Sequence, residues 1–302
     1  ENIYVGIMTD TGNFSFSYDL APGLNLLAKV AHNSKEQHFE LHKPYAWVGD
    51  DYGQYEVRSL RKLRTDLDAM LSYKKRFGKF ELDALAGVSY LQRETNQTYA
   101  STSGGLQRPN FYHLSNSVLS PVADPAQNFI EKTRMSSIYG TATFSYGSFA
   151  YLTVTGRNDW SSSLIKENRS FFYPSANLSL LVSEMIKMPR QVSLIKLRGS
   201  YARIGRDMSP YQLENYYDFD QYWGTDNSGY RPDNLLIDPD IVPFFVTSYE
   251  VGADIRFFDS RLRLDLSYYY NLDEGIIQRI PVAHSSGFEE MLTNGNDNVR
   301  YG

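Results

Sequence analysis

The sequence contains no cysteine, so a disulfide framework and thiolate metal centres are excluded, while the compartment stays open. No stretch approaches about 18 consecutive apolar residues, which excludes a transmembrane helix but leaves a transmembrane barrel possible. Neither sign of charge dominates: 30 Lys and Arg stand against 35 Asp and Glu, a formal net charge of −5, so no nucleic-acid partner is implied. The chain opens on ENIYVG, without a charged segment followed by an apolar one, so any secretion signal would lie outside it. G-x-S-x-G, P-loop and G-x-G-x-x-G patterns are missing, and no amphipathic helical repeat is present that could cover a sheet.

Aromatic residues are what the chain has in quantity, with 24 Tyr, 17 Phe and 3 Trp, a load that suits strands and membrane interfaces better than helices. RLRLDLSYYYN, residues 261–271, shows how they are used. Leu262, Leu264, Leu266, Tyr268 and Tyr270 fall on one side of an extended chain, and Arg261, Arg263, Asp265, Ser267 and Tyr269 on the other.

The same period of two predicts ten strands. Their apolar sides carry Phe14, Phe16 and Tyr18 in the first; Leu24, Leu26 and Val30 in the second; Leu67, Leu71 and Tyr73 in the third; and Phe80, Leu82 and Val88 in the fourth. Ile138 and Phe144 mark the fifth, Leu152 and Val154 the sixth, Phe172 and Leu178 the seventh, Ile195 and Leu197 the eighth, and Val251 and Ile255 the ninth. Residues 261–271 are the tenth. Short turns join them in pairs, at APG, around Phe77 and Gly78, at YGS and at FDS. Long links, roughly 34–54, 94–133, 161–170 and 205–245, alternate with those turns, the asymmetry of an outer-membrane barrel with tight periplasmic turns and long extracellular loops. The bilayer is then the simplest cover for the apolar sides, with Asp254, Arg256, Arg263 and Asp265 turned to a wet lumen.

RNDWSSSLIKENRSFFYPSANLSLLVSEM, LIKLRGSYARIGRDMSPYQL and TSYEVGADIRFFDSRLRLDLSYYYNLDEGIIQRIPV resemble stretches of the SusC/RagA family of TonB-linked outer-membrane proteins, which usually read R-x-D-G-S-S-x-F…F-P-S-A, L-K-L-R-x-S-Y-G-x-x-G-N and T-x-x-Y-E-x-G. Asn294 and Gly295 sit where that family has N-x-G; Trp160 replaces one of its glycines, and DPDIVPFF departs from its usual N-P-x-L-K-x-E. The resemblance covers residues from about 134 to the end. It implies an all-β, antiparallel transmembrane barrel in the outer membrane of a Gram-negative bacterium, which imports a glycan or peptide by coupling to TonB and is lidded by a SusD-like surface lipoprotein. Such barrels have about 22 strands around a plug. Residues 1–302 therefore read as part of one barrel domain, with the plug and N-terminal domains outside this chain. Alternatives from the residues alone are a passive porin-like channel and a soluble glycan-binding β-sandwich.

Several residue patterns resemble functional sites. Asp10, Thr11 and Gly12 match the triplet of aspartic proteases, but no second copy follows to complete a dyad, and a strand-entry turn is preferred. His38 and His42 have the spacing of two ligands on a helix face, but their surroundings read as a solvated loop. Asp226, Asp233, Asp238 and Asp240 share one loop without the spacing of an EF-hand. No enzymatic activity, cofactor or metal is expected. The remaining candidates lie in the 205–245 link, where Tyr211, Tyr216, Tyr217, Tyr222, Trp223 and Tyr230 crowd among Asp218, Asp220, Asp226 and Asp233. Long loops this rich in aromatics are usually functional rather than disordered. Tyr216, Tyr217, Tyr222, Trp223 and Tyr230 are the expected contacts to substrate or lid, with self-packing of the loop as the alternative.

Overall fold

A computed structural model describes residues 2–46, 52–214, 217–220, 229–232 and 234–302. Its strands are β1 (Asn2–Ala21), β2 (Leu24–Lys43), β3 (Gln54–Phe77), β4 (Phe80–Leu106), β5 (Ser117–Val122), β6 (Phe129–Tyr146), β7 (Ala150–Ser161), β8 (Ser170–Leu181) and β9 (Val192–Arg206). They continue with β10 (Tyr217–Asp220), β11 (Gly229–Pro232), β12 (Leu235–Ile237), β13 (Phe244–Phe257), β14 (Leu262–Glu274), β15 (Ile277–Pro281), β16 (Glu290–Asn294) and β17 (Asn298–Tyr301). A single helical turn, Val182–Met185, follows β8.

Among the described residues, one 12-stranded sheet runs β1-β2-β3-β4-β6-β7-β8-β9-β13-β14-β17, with β5 added to β4. The ten expected strands are all there, as β1 to β4, β6 to β9, β13 and β14. The described ladders from β6 to β17 in this sheet are antiparallel, with neighbours in sequence or across a loop also neighbours in the sheet.

By packing, the residues fall into two compact units. One comprises residues 1–16, 29–67 and 90–134, and the other 17–28, 68–89 and 135–302. In the second unit the short turns are set by local chemistry. Gly23 has φ of +79°, and a Cβ there would come 2.2 Å from the Lys74 carbonyl oxygen, so only glycine fits. The Gly23 carbonyl accepts from the Lys74 N–H at 2.7 Å. The β13–β14 turn instead places Phe258, Asp259 and Ser260 in succession at positive φ.

Two expectations need correction. The links drawn at 34–54 and 94–133 are largely strand: β2 continues to Lys43, β3 begins at Gln54, β4 continues to Leu106 and β6 begins at Phe129. A membrane-crossing strand needs only about 9–11 residues. Beyond that length neither side of a strand has to be apolar, so alternation fades in HNSKEQHFELHK while the hydrogen-bonded ladder goes on. The triplet Asp10, Thr11 and Gly12 is likewise in mid-strand rather than at a turn, with the Thr11 hydroxyl donating to Asn33 Oδ1 at 3.1 Å.

Candidate functional site

The two faces of β13 differ in an unusual direction. On the face carrying Val251, Ala253 and Ile255, the apolar side chains are open: Val251 is 60% exposed and Leu266 56%. On the opposite face Asp254 is only 5% exposed. A soluble protein buries its aliphatic side chains and exposes its carboxylates. Asp254 and Val251 reverse that order on β13, while on the edge-ward β14 both faces are open, with Asp265 41% exposed.

Register explains how the polar face holds together. Asp254 lies directly opposite Asp265, and Arg256 opposite Arg263, which alone would set like charges side by side. The guanidiniums lean instead along their own strands and, for Arg263, across the diagonal. Arg256 Nη2 reaches Asp254 Oδ2 at 3.0 Å, and Arg263 Nη2 reaches the same oxygen at 3.1 Å and Asp265 Oδ2 at 3.3 Å. Arg198 on β9 closes the lattice by meeting Glu250 on β13 at 3.5 Å and crossing that strand to Asp265 on β14 at 3.0 Å. It can cross because the residue beneath it is Gly252, where a Cβ would stand 2.5 Å from Arg198 Nε. A second polar cluster follows on the same face, where Arg157 binds Asp159 at 2.7 Å and Ser137 at 2.8 Å, and the Tyr173 hydroxyl donates to Asp159 at 2.6 Å.

The apolar face ends in a row of rings. Tyr201, Tyr249, Tyr270 and Tyr301 occupy successive register positions on β9, β13, β14 and β17. The rings of Tyr201 and Tyr249 are 5.2 Å apart, and those of Tyr249 and Tyr270 6.4 Å. From Tyr249 to Phe257, next to the turn, is a stretch of about nine residues, the length a strand needs to cross a bilayer. Tyrosines at one end of such a band match an interfacial girdle.

Beyond the row, on the long-link side, a small body forms from β12, β15 and β16, with β12 parallel and β15 antiparallel to β16. Its core is Leu235, Ile241 and Leu292, backed by Met208, Leu213 and Ile277, and Ile241 is fully buried. Asn294 stitches it: its amide nitrogen donates to the Val242 and Gly275 carbonyls at 2.9 and 2.8 Å, and its Oδ1 accepts from the Val242 N–H at 2.9 Å. Sequence reasoning missed this body, although LLI between Asn234 and Asp238 and MLT between Glu290 and Asn294 are its visible signal.

Of the five expected contact residues, Tyr217 and Tyr230 lie on the antiparallel pair β10–β11, where the sequence reading had only a loop. Tyr216, Tyr222 and Trp223 lie outside the described residues, as do Asp226 and Asp233. Asp238 and Asp240 form a turn in which Asp238 Oδ1 accepts the Asp240 N–H at 2.9 Å, and the Thr293 hydroxyl donates to Oδ2. Those two hydrogen bonds, Thr293 first, hold the Asp238 carboxyl below its ordinary value of 3.8.

His38 and His42 are on strand β2, not in a loop. Residues two apart share a strand face, so both imidazoles meet the intervening Glu40, with Nε2 atoms 3.1 and 3.0 Å from its two oxygens. Those contacts, His42 first, hold the Glu40 carboxyl below its ordinary value. Tyr112 stacks on His42 at 4.3 Å, and Tyr4 and Tyr55 flank it at 4.7 and 5.4 Å.

Comparison with known proteins accords with this geometry. Two relatives from Formosa agariphila, TonB-dependent receptors P3 and P26, are each 25% identical, P3 over 95% of this chain and P26 over 87%. The chain spans less than a third of either, 29% and 27%. Among solved structures, that of the RagAB peptide transporter superposes with a TM-score of 0.81 at 18% identity, over 98% of this chain and 33% of its own. The ferripyoverdine receptor of Pseudomonas aeruginosa superposes with a TM-score of 0.58 at 16% identity, over 96% of this chain and 36% of its own. The family model described as TonB dependent receptor-like, beta-barrel matches residues 2–302, and the chain belongs to that family as a segment of its barrel.

Proposed function

We propose that the receptor to which these strands belong imports a large nutrient, a peptide or an oligosaccharide, across the outer membrane of a Gram-negative bacterium, with energy delivered through TonB. Residues 1–302 supply part of the barrel wall. The observation that carries this reading is the pair of faces that β13 presents with its neighbours: an apolar side left open, as lipid would allow, and opposite it a carboxylate–guanidinium lattice that buries Asp254. An Arg at the bilayer midplane costs about 2–4 kcal/mol, so the Arg198, Arg256 and Arg263 side belongs to the lumen. The motifs shared with the SusC/RagA family between residues 134 and 302 support a large cargo and a SusD-like lipoprotein lid, and the peptide carried by RagAB favours peptide among the cargoes.

In this reading the 205–245 link lies at the extracellular mouth, and Tyr216, Tyr217, Tyr222, Trp223 and Tyr230 contact cargo or lid. Tyr222 and Trp223 take the leading part, because they lie farthest along the link from both strands. Aromatic rings with carboxylates nearby suit either peptide side chains or sugar rings.

The test is uptake by the full-length receptor of labelled peptide and oligosaccharide pools in cells with and without TonB. TonB-dependent uptake is expected, and Tyr222→Ala/Trp223→Ala should weaken it while the barrel still assembles. Uptake that persists without TonB would replace this reading with a passive channel. Unchanged uptake and lid association in an assembled double variant would return the two rings to packing within the loop.

A further inference from the structure

The first unit holds a groove of about 530 Å³ that the import reading does not use. Four cations line it from three adjacent strands: Lys35 on β2, Lys62 and Arg64 on β3, and Arg93 on β4. Thr9 and Asn33 add a hydroxyl and an amide. Among the described residues, Arg64 alone of the four cations has an ion-pair partner, Asp66, whose two oxygens it holds at 2.7 and 2.8 Å. Lys35, Lys62 and Arg93 keep their charge uncompensated in a chain whose net charge is −5. Several like charges lining one concave surface focus the potential there and attract an anion. Lys62 and Arg64 lie roughly 13–15 residues along β3 from its turn end at Phe77, beyond the 9–11 that a crossing requires, so the groove is on the long-link side of the bilayer.

We propose that this groove binds the carboxylates of an acidic peptide cargo. The proposal rests on the import reading and narrows its substrate. Two features favour a peptide over a uronic or sulfated oligosaccharide. The remaining lining is Ile7 and the stretch of β3 at Leu63 between the two cations, with no aromatic ring on which a sugar could stack. Lys62 and Arg64 are two residues apart on one strand, a repeat of roughly 6.6–6.8 Å, and that is also the repeat of same-side carboxylates along an extended acidic chain. Arg64 has its Nε and Nη2 on Asp66 and keeps its Nη1 donors for a second carboxylate, while Lys62 is a mobile point charge, so carboxylates at that repeat would be met in turn.

The test uses the purified full-length receptor and three probes: hexaglutamate, hexaglutamine and a galacturonate oligomer of equal charge. Hexaglutamate should bind in preference to the other two, and its binding should weaken as salt rises. Lys62→Gln/Arg93→Gln should weaken hexaglutamate roughly 10-fold or more, whereas Lys62→Arg/Arg93→Lys should retain it, with heat-modifiable mobility showing that each variant is assembled. Unchanged affinity in the assembled Gln variant, no salt-sensitive binding by the unmodified receptor, or preference for the galacturonate oligomer would each overturn the proposal. TonB-dependent uptake of a mixed pool of acidic and neutral peptides in the same cells separates the two readings. Uptake from that pool alongside a failed groove test sinks the acidic-peptide site alone, and the absence of any uptake from it sinks the import of peptides itself.

Discussion

The β13–β14 hairpin and the body built from β12, β15 and β16 are joined through the same stretch of chain but are ordered by different means. In the hairpin, continuous register from Phe245↔Glu274 to Phe257↔Leu262 fixes every side chain on one of two faces, and the faces do the rest. In the small body no ladder is longer than five residue pairs, and order comes from one fully buried Ile241 and from side chains that tie separate turns, above all Asn294. The first kind of order repeats along the sequence and can be read from it. The second depends on residues about 50 positions apart finding each other, which no local pattern announces.

The largest effect should come from exchanging the hairpin's faces. Leu266→Arg on the apolar face, opposite Ala253 at the middle of the crossing, is expected to cost about 2–4 kcal/mol in folding into lipid, whereas Ser267→Arg on the polar face of the same strand should cost little. Equilibrium unfolding of the full-length barrel in vesicles distinguishes the two. Equal costs would mean that the faces do not meet different media.

Much of the sheet was legible because its residues obey one rule. Val251, Ala253 and Ile255 alternate with Gly252, Asp254 and Arg256 over the length a bilayer demands, and ten strands of this kind appear where expected. The rule failed where the physical demand ended. Beyond the crossing, β2 and β4 need no apolar side, so their outer halves were read as loops although their ladders persist. His38 and His42 went astray for the same reason: an i, i+4 spacing suggests a helix face, yet in a strand it also places both residues, with Glu40, on one side. The role of Gly252 was invisible as well, because it arises from Arg198 lying over it, 54 residues earlier in the chain.

That contact offers a finer test of the hairpin. Gly252→Ala places a methyl 2.5 Å from Arg198 Nε, so the guanidinium must leave Asp265 and Glu250. Partly exposed ion pairs contribute about 0–1 kcal/mol each, and a loss on the order of 1 kcal/mol is expected. Combined with Arg198→Ala, the same glycine substitution should cost almost nothing, and the difference is the coupling read by a double-mutant cycle. Additive costs would show that the glycine serves the backbone rather than the arginine.

The smallest effect should fall on the other member of the comparison, where one hydroxyl ties β16 to the turn after β12. The Thr293 hydroxyl and the Asp240 N–H both donate to the Asp238 carboxylate, which holds its pKa below 3.8. A carboxyl whose folded pKa is depressed stabilises the fold above its unfolded value, and that contribution disappears as pH falls through the folded one. Thr293→Val removes the larger of the two donors while keeping shape, so the Asp238 pKa should rise towards 3.8 and the loss of local protection on acidification should begin at higher pH. Amide hydrogen exchange at Asp240 and Leu292, followed between about pH 5 and pH 3 in the two proteins, reads this directly. Identical exchange profiles would mean that Ile241 and its apolar neighbours hold the body together without help from the carboxylate, leaving Asn294 as its principal polar tie.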